Sequence, residues 1–231
     1  MQVRSREAFI IIADVVSSRM LNHDKLTQSL QDLIASLEVD LDGAFLNTPK
    51  RSLGDEVQMS LRSLRCVFET ILHIEEFAFR RSMQFRYAVV FDEITGEAHD
   101  DIRTLSGAGL IHARDTIEEI KHDEDYRSAL VRRGHVWFEL QSREASKTFE
   151  AIFLTLSTIR SGWKQKHAEI AYRMIQGEKD KTIAKAVGYT QSAIWKRRQK
   201  MQIDSYLALR AVLKTLSSRG TLEELNLEAG R

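Results

Sequence analysis

Apolar residues along the chain follow two periodicities that alternate. "EAFIIIADVV" opens with the unbroken run Phe9, Ile10, Ile11 and Ile12 and closes on Asp14, the pattern of a strand buried on both faces. Between Met20 and Leu41, Leu26, Leu30, Leu33, Ile34 and Leu37 recur at steps of three and four, which predicts an amphipathic helix. "AFLNTPKRSLGDEVQMSLRS" reads as two strands around a Gly-Asp turn, and "LRSLRCVFETILHIEEFAF" returns to helical spacing. "FRYAVVFDEITGEA" predicts a strand and "GLIHARDTIEEIKH" a helix entered through glycines. "HVWFELQ" predicts a last strand, and "ASKTFEAIFLTLSTIR" a helix behind it.

That order, with one antiparallel hairpin, predicts an α+β domain whose mixed sheet is backed by helices. After "RSG" at 160 to 162 the strand signal stops, and the pattern is helical from Trp163 to Leu216. The expected organisation is an α+β domain over 1–160, an all-α domain over 161–219 and an acidic tail over 220–231. Trp163, at the junction, is expected to pack.

Charge sharpens this division. The net charge of +1 averages two unlike parts. Residues 161–219 hold 13 Lys and Arg against 4 Asp and Glu, whereas residues 1–160 hold 20 basic against 26 acidic residues. Such segregation points to two units with different partners. Cys66 is the single cysteine, which excludes an intramolecular disulfide framework and a Cys-rich zinc site and suits a reducing cytoplasm. It falls in an apolar helical pattern and is expected in the core. No apolar run approaches the ~18 residues of a spanning helix, and no basic-then-apolar leader is evident, so a cytoplasmic chain away from membranes is expected. The seven histidines lack metal spacing, and no P-loop, nucleophile elbow or dinucleotide fingerprint appears.

The basic segment has its own grammar. In "DKTIAKAVGYTQSAIWKRRQK", Ile183, Ala184 and Val187 form one apolar stripe, Gly188 stands where a tight corner needs positive φ, and Thr190 is placed to cap a second helix. The steps Ala184, Gly188, Ile194 resemble the helix-turn-helix of bacterial transcription regulators. With Ile194 turned inward, Gln191, Ser192, Trp195, Lys196 and Gln199 share the outward side. Gln and Ser suit base edges; Lys196, Arg197, Arg198 and Lys200 suit phosphates, and Lys164 and Lys166 extend the footprint. The competing reading is a helical bundle whose cations only keep it soluble.

Two carboxylate positions stand out in the first domain. Asp14 ends the first strand, and Asp55 and Glu56 sit in the hairpin "SLGDEVQ". If strand and hairpin are neighbours, Asp14 and Asp55 can converge on one Mg²⁺ through hard oxygen ligands. Equally, Asp14 can cap a turn and Gly54-Asp55 can simply form a corner. Arg19, Lys50 and Arg51, with Glu56, are candidates to line a ligand, or are ordinary surface residues.

"ADVVSSR", "SLGDEVQ" and "GAGLIHARDTIEEI", followed by the helix-turn-helix pattern, resemble the SatD family over nearly the whole chain. The first domain of that family resembles the ferredoxin-like palm of class III nucleotidyl cyclases. There an aspartate after the first strand and another in a Gly-Asp hairpin hold two metal ions, and Asp14 and Asp55 match those positions. The resemblance implies a cyclase-like palm able to bind Mg²⁺ and a nucleotide ligand, with no cofactor fixed by the residues alone. Cyclases also carry an Asn and an Arg in a later Gly-initiated helix. Aligned on Gly107 and Ala113, those positions hold Ile111 and Asp115, with Arg114 one step away. An apolar residue donates no hydrogen bond and an acid repels a triphosphate, which argues against cyclisation. No catalytic residue is assigned. The expectation is a homodimeric regulator binding double-stranded DNA, its palm serving dimerisation or sensing. The alternative is a Mg²⁺-dependent nucleotide-binding or cyclase-like enzyme tethered by its helical domain.

Overall fold

Ile10 to Ala13 lie fully buried in the middle strand of a five-stranded sheet. The computed structural model describes residues 5–52, 54–97, 100–126 and 135–217, without the side chains of Arg19 and of 123–126. The acidic tail lies outside the described residues. The first half of the chain forms β1 (Ser5–Val15), α1 (His23–Asp40), β2 (Phe45–Arg51), β3 (Glu56–Leu61), α2 (Leu64–Arg80) and β4 (Phe85–Thr95). It continues through α3 (Ala108–Tyr126), β5 (Val136–Glu139) and α4 (Arg143–Ser161) to α5 (Ala168–Ile175), α6 (Asp180–Val187), α7 (Gln191–Lys200) and α8 (Ile203–Leu216).

The strand order is β2-β3-β1-β4-β5, antiparallel throughout except for the parallel β4–β5 pair. This is an α+β fold with the ferredoxin-like strand order expected of a palm, extended by one parallel strand. Pro49 sits in edge strand β2, within the register shift between Asn47 and Lys50, where a missing N–H is tolerated.

Both faces of β1 are covered, which explains its unbroken apolar run. Ile11, Ala13 and Val15 join a core with α1, α2 and α4; Ile10 and Ile12 join a second core with Ala113, Ile117 and Ile120 of α3. Gly109 lets α3 approach, since a Cβ there would fall 2.5 Å from Ile10 Cδ1. Cys66 is partly buried against the first core, its Sγ facing the Ser63 hydroxyl at 3.2 Å.

The first core continues into the C-terminal helices through Trp163, Ile170, Met174, Ile183, Ile194 and Tyr206. Trp163 is buried, its ring 5.0 Å from that of Tyr206 and 5.6 Å from that of Phe79, and its indole N–H donates to the Met201 carbonyl at 2.7 Å. Buried charges tie the same elements. Glu75 of α2 accepts the Tyr87 hydroxyl at 2.6 Å and pairs with Arg160 of α4, while Glu76 pairs with Arg210 of α8.

Candidate functional site

Strand register brings the first acid cluster together. Asp14 stands opposite Glu56 on β3 and opposite Arg86 on β4. Side chains alternate across a strand, so Asp14 shares the side of Ile10 and Ile12 and faces α3. That helix carries Arg114, Glu118 and Lys121 at steps of four and three, beside its buried stripe of Ala113, Ile117 and Ile120. Lys121 Nζ lies 3.2 Å from Asp14 Oδ1, 3.1 Å from Glu56 Oε1 and 2.9 Å from Glu118 Oε1. Arg86 Nε lies 3.0 Å from Asp14 Oδ2, and Arg114 Nη1 pairs with Glu56 Oε2, which also accepts the Ser52 hydroxyl at 3.2 Å.

The Asp14 and Glu56 side chains are 3% and 5% exposed. Burial pushes the Asp14 carboxyl up to about 6; Lys121 and Arg86 oppose the rise and the charge of Asp55 adds to it. Burial also disfavours the Lys121 ammonium. The Glu118 hydrogen bond and the Asp14 and Glu56 carboxylates outweigh that and hold it above the ordinary lysine range.

Of the remaining candidates among residues 1–160, Asp55 acts on Asp14 through its charge. Asp55 is half-buried in the hairpin turn beside Gly54. Arg51 donates to the Gly54 carbonyl and, at 3.2 Å, to the Thr27 hydroxyl, so it braces the hairpin. Lys50 pairs with Glu38 at 3.2 Å. The Arg19 side chain lies outside those described. Ile111 is 65% exposed and Asp115 is also exposed, so neither adds a donor toward the acid pair.

For Mg²⁺, Asp14, Glu56 and Asp55 offer carboxylates of suitable chemistry. The position between Asp14 and Glu56 is nevertheless filled by Lys121 Nζ, and among the described residues no group of three or more His, Cys, Asp or Glu is placed to hold a metal ion. The residues as arranged do not fit the ion.

In the basic segment, α6 ends at Gly188, whose φ of 70° and ψ of 30° make the corner. Thr190 caps α7, its hydroxyl accepting the Ala193 N–H at 3.2 Å. Ile183, Ala184 and Ile194 are buried between the two helices and the core. Gln191, Ser192, Lys196, Gln199 and Lys200 are exposed, and Trp195 is 55% exposed.

Two of the arginines expected to suit phosphates have partners within the chain. Arg197 stacks over the Tyr189 ring at 4.2 Å and donates to the Ala193 carbonyl at 3.1 Å. Arg198 is held by Asp180 at 2.8 Å and Asp204 at 3.4 Å, with its own side chain 17% exposed. His167 locates the positive field: burial first, then Arg197, Lys166, Lys164 and Lys200, hold its pKa below the ordinary value.

Local sequence pattern does not single out Lys121, Arg86 or Glu118. The available signal was the charged stripe Arg114, Glu118, Lys121 running beside the apolar one.

The model of the SatD family matches residues 8–217. The chain belongs to the SatD family. Two solved structures similar to part of it are nucleotidyl cyclases. The crystal structure of the guanylyl cyclase Cya2 shares 15% identity over 50% of this chain and 71% of that one, with a TM-score of 0.37. A bacterial light-regulated adenylyl cyclase shares 12% identity over 60% of this chain and 44% of that one, with a TM-score of 0.43. Overlaps this low carry nothing about activity, and the palm topology rests on the strand order. No curated protein matches the chain. Among the described residues no helix is long and apolar enough to cross a membrane.

Proposed function

We propose that residues 161–219 are a helix-turn-helix unit that binds double-stranded DNA, with α7 as the helix presented to the major groove. The observation that carries this reading is the exposed row Gln191, Ser192, Trp195, Lys196, Gln199 and Lys200 on a capped helix that leaves a glycine corner. Lys196 and Lys200, with Lys164 and Lys166, reach phosphates; Gln191 and Ser192, in the first turn of α7, reach base edges. Arg197 and Arg198 brace the unit rather than contact DNA. A homodimer arranged by the palm would place two such helices about 34 Å apart on a palindromic site. A gel shift with random-sequence duplex tests it: a retarded complex at low salt that weakens at moderate salt is expected. No complex at low salt overturns the reading.

The second reading is a Mg²⁺-dependent nucleotide-binding or cyclase-like palm, the kind of activity named for the two similar cyclases. The buried Asp14–Glu56 pair beside Asp55 favours it by donor chemistry. The Lys121 ammonium between those carboxylates disfavours it.

A further inference from the structure

Asp14 and Glu56 have four carboxylate oxygens between them, and each faces a cation of this chain. Oδ1 of Asp14 and Oε1 of Glu56 face Lys121, Oδ2 of Asp14 faces Arg86, and Oε2 of Glu56 faces Arg114. A lysine ammonium has three donors, and three carboxylates, those of Asp14, Glu56 and Glu118, stand 2.9 to 3.2 Å from it. The pair is almost excluded from water, so uncompensated charge there would be costly.

We propose that Lys121 is the resident cation of this acid pair, standing in the place a divalent metal would need, and that the palm therefore takes no metal ion there. A divalent ion entering between Asp14 and Glu56 must first expel the ammonium. It then sits beside the Arg86 and Arg114 guanidiniums, and that like-charge contact opposes it at short range. The arrangement also has a mechanical consequence. Lys121 comes from α3 while Asp14 and Glu56 come from β1 and β3, so the ammonium fastens the far part of the helix to the sheet. Removing the amine exposes two hard carboxylates on adjacent strands with one positive charge fewer, which is a latent divalent-cation site. This inference is independent of the DNA-binding reading, and it removes the metal from the second one.

Mn²⁺ is the probe, followed by isothermal titration and by loss of the free-ion paramagnetic resonance signal. Full-length wild type is expected to show no binding that depends on Asp14. Lys121→Ala and Lys121→Met, each confirmed as folded by circular dichroism, are expected to bind about one equivalent with affinity at least about tenfold above wild type. Adding Asp14→Asn to either variant is expected to abolish the gain. Mn²⁺ binding by wild type that Asp14→Asn removes overturns the proposal, and this arm holds whether or not the lysine variants fold. A folded lysine variant without the gain overturns it equally.

Discussion

Arg198 places its guanidinium 2.8 Å from the Asp180 carboxylate, joining the last turn of α7 to the first residue of α6 across the glycine corner. Both side chains are 17% exposed, between the free surface, where such pairs contribute little, and the interior, where breaking one is costly. The basic helix thus contains a cation with a structural task.

Arg198→Ala and Asp180→Ala are each expected to lower unfolding stability by about 1–2 kcal/mol, with clear coupling in a double-mutant cycle. Denaturant unfolding measures this. On the DNA side, Arg198→Ala is expected to leave the salt dependence of binding unchanged, whereas Lys196→Ala and Lys200→Ala each flatten the slope by about 0.9. Equal slopes for all three variants would return Arg198 to the DNA-contacting set.

Gly188 offers a second test of the corner. Its φ of 70° is open to glycine, and a Cβ there would meet no atom within 4 Å, so substitution carries backbone strain without a clash. Gly188→Ala is expected to cost about 1 kcal/mol, and Gly188→Asn less, because Asn tolerates this region better. Thermal unfolding checks the order. A loss equal for both variants would place the requirement in packing.

The Asp14 carboxyl, raised from an ordinary 3.8 to about 6 by burial, makes a signed prediction. A carboxyl raised by folding favours the folded state most when protonated. Its contribution is complete below the unfolded value, falls as pH rises through about 6 and is constant above that. The difference corresponds to roughly 3 kcal/mol. Carboxyl ¹³C shifts should give a midpoint near 6 for this residue, and a midpoint at the ordinary value would contradict the burial argument.

Local pattern made β1, the β2–β3 hairpin and the α6–Gly188–α7 corner legible in the sequence. In each case the decisive residues lie within one or two elements: the run Phe9 to Ile12, the Gly54 turn, and Ile183, Gly188 and Ile194. The acid pair was half legible. Asp14 and the hairpin carboxylates were visible, but Lys121 reaches them from a helix more than sixty residues away, and single-chain periodicity carries no such distance. The pairing of Arg198 is not legible for a related reason, since its partners Asp180 and Asp204 lie on neighbouring helices. Arg160 of α4 is another case. Its partner Glu75 sits on a different helix, so neither residue's pattern foretold their buried pairing.

The claim that α7 presents its outer face to DNA is tested most directly by footprinting lysines with an amine-reactive acetylating reagent, with and without duplex. Lys196 and Lys200 should lose reactivity when duplex is bound, while Lys25, exposed on α1, keeps its own. Unchanged reactivity at Lys196 and Lys200 in a complex that demonstrably contains DNA would contradict the account.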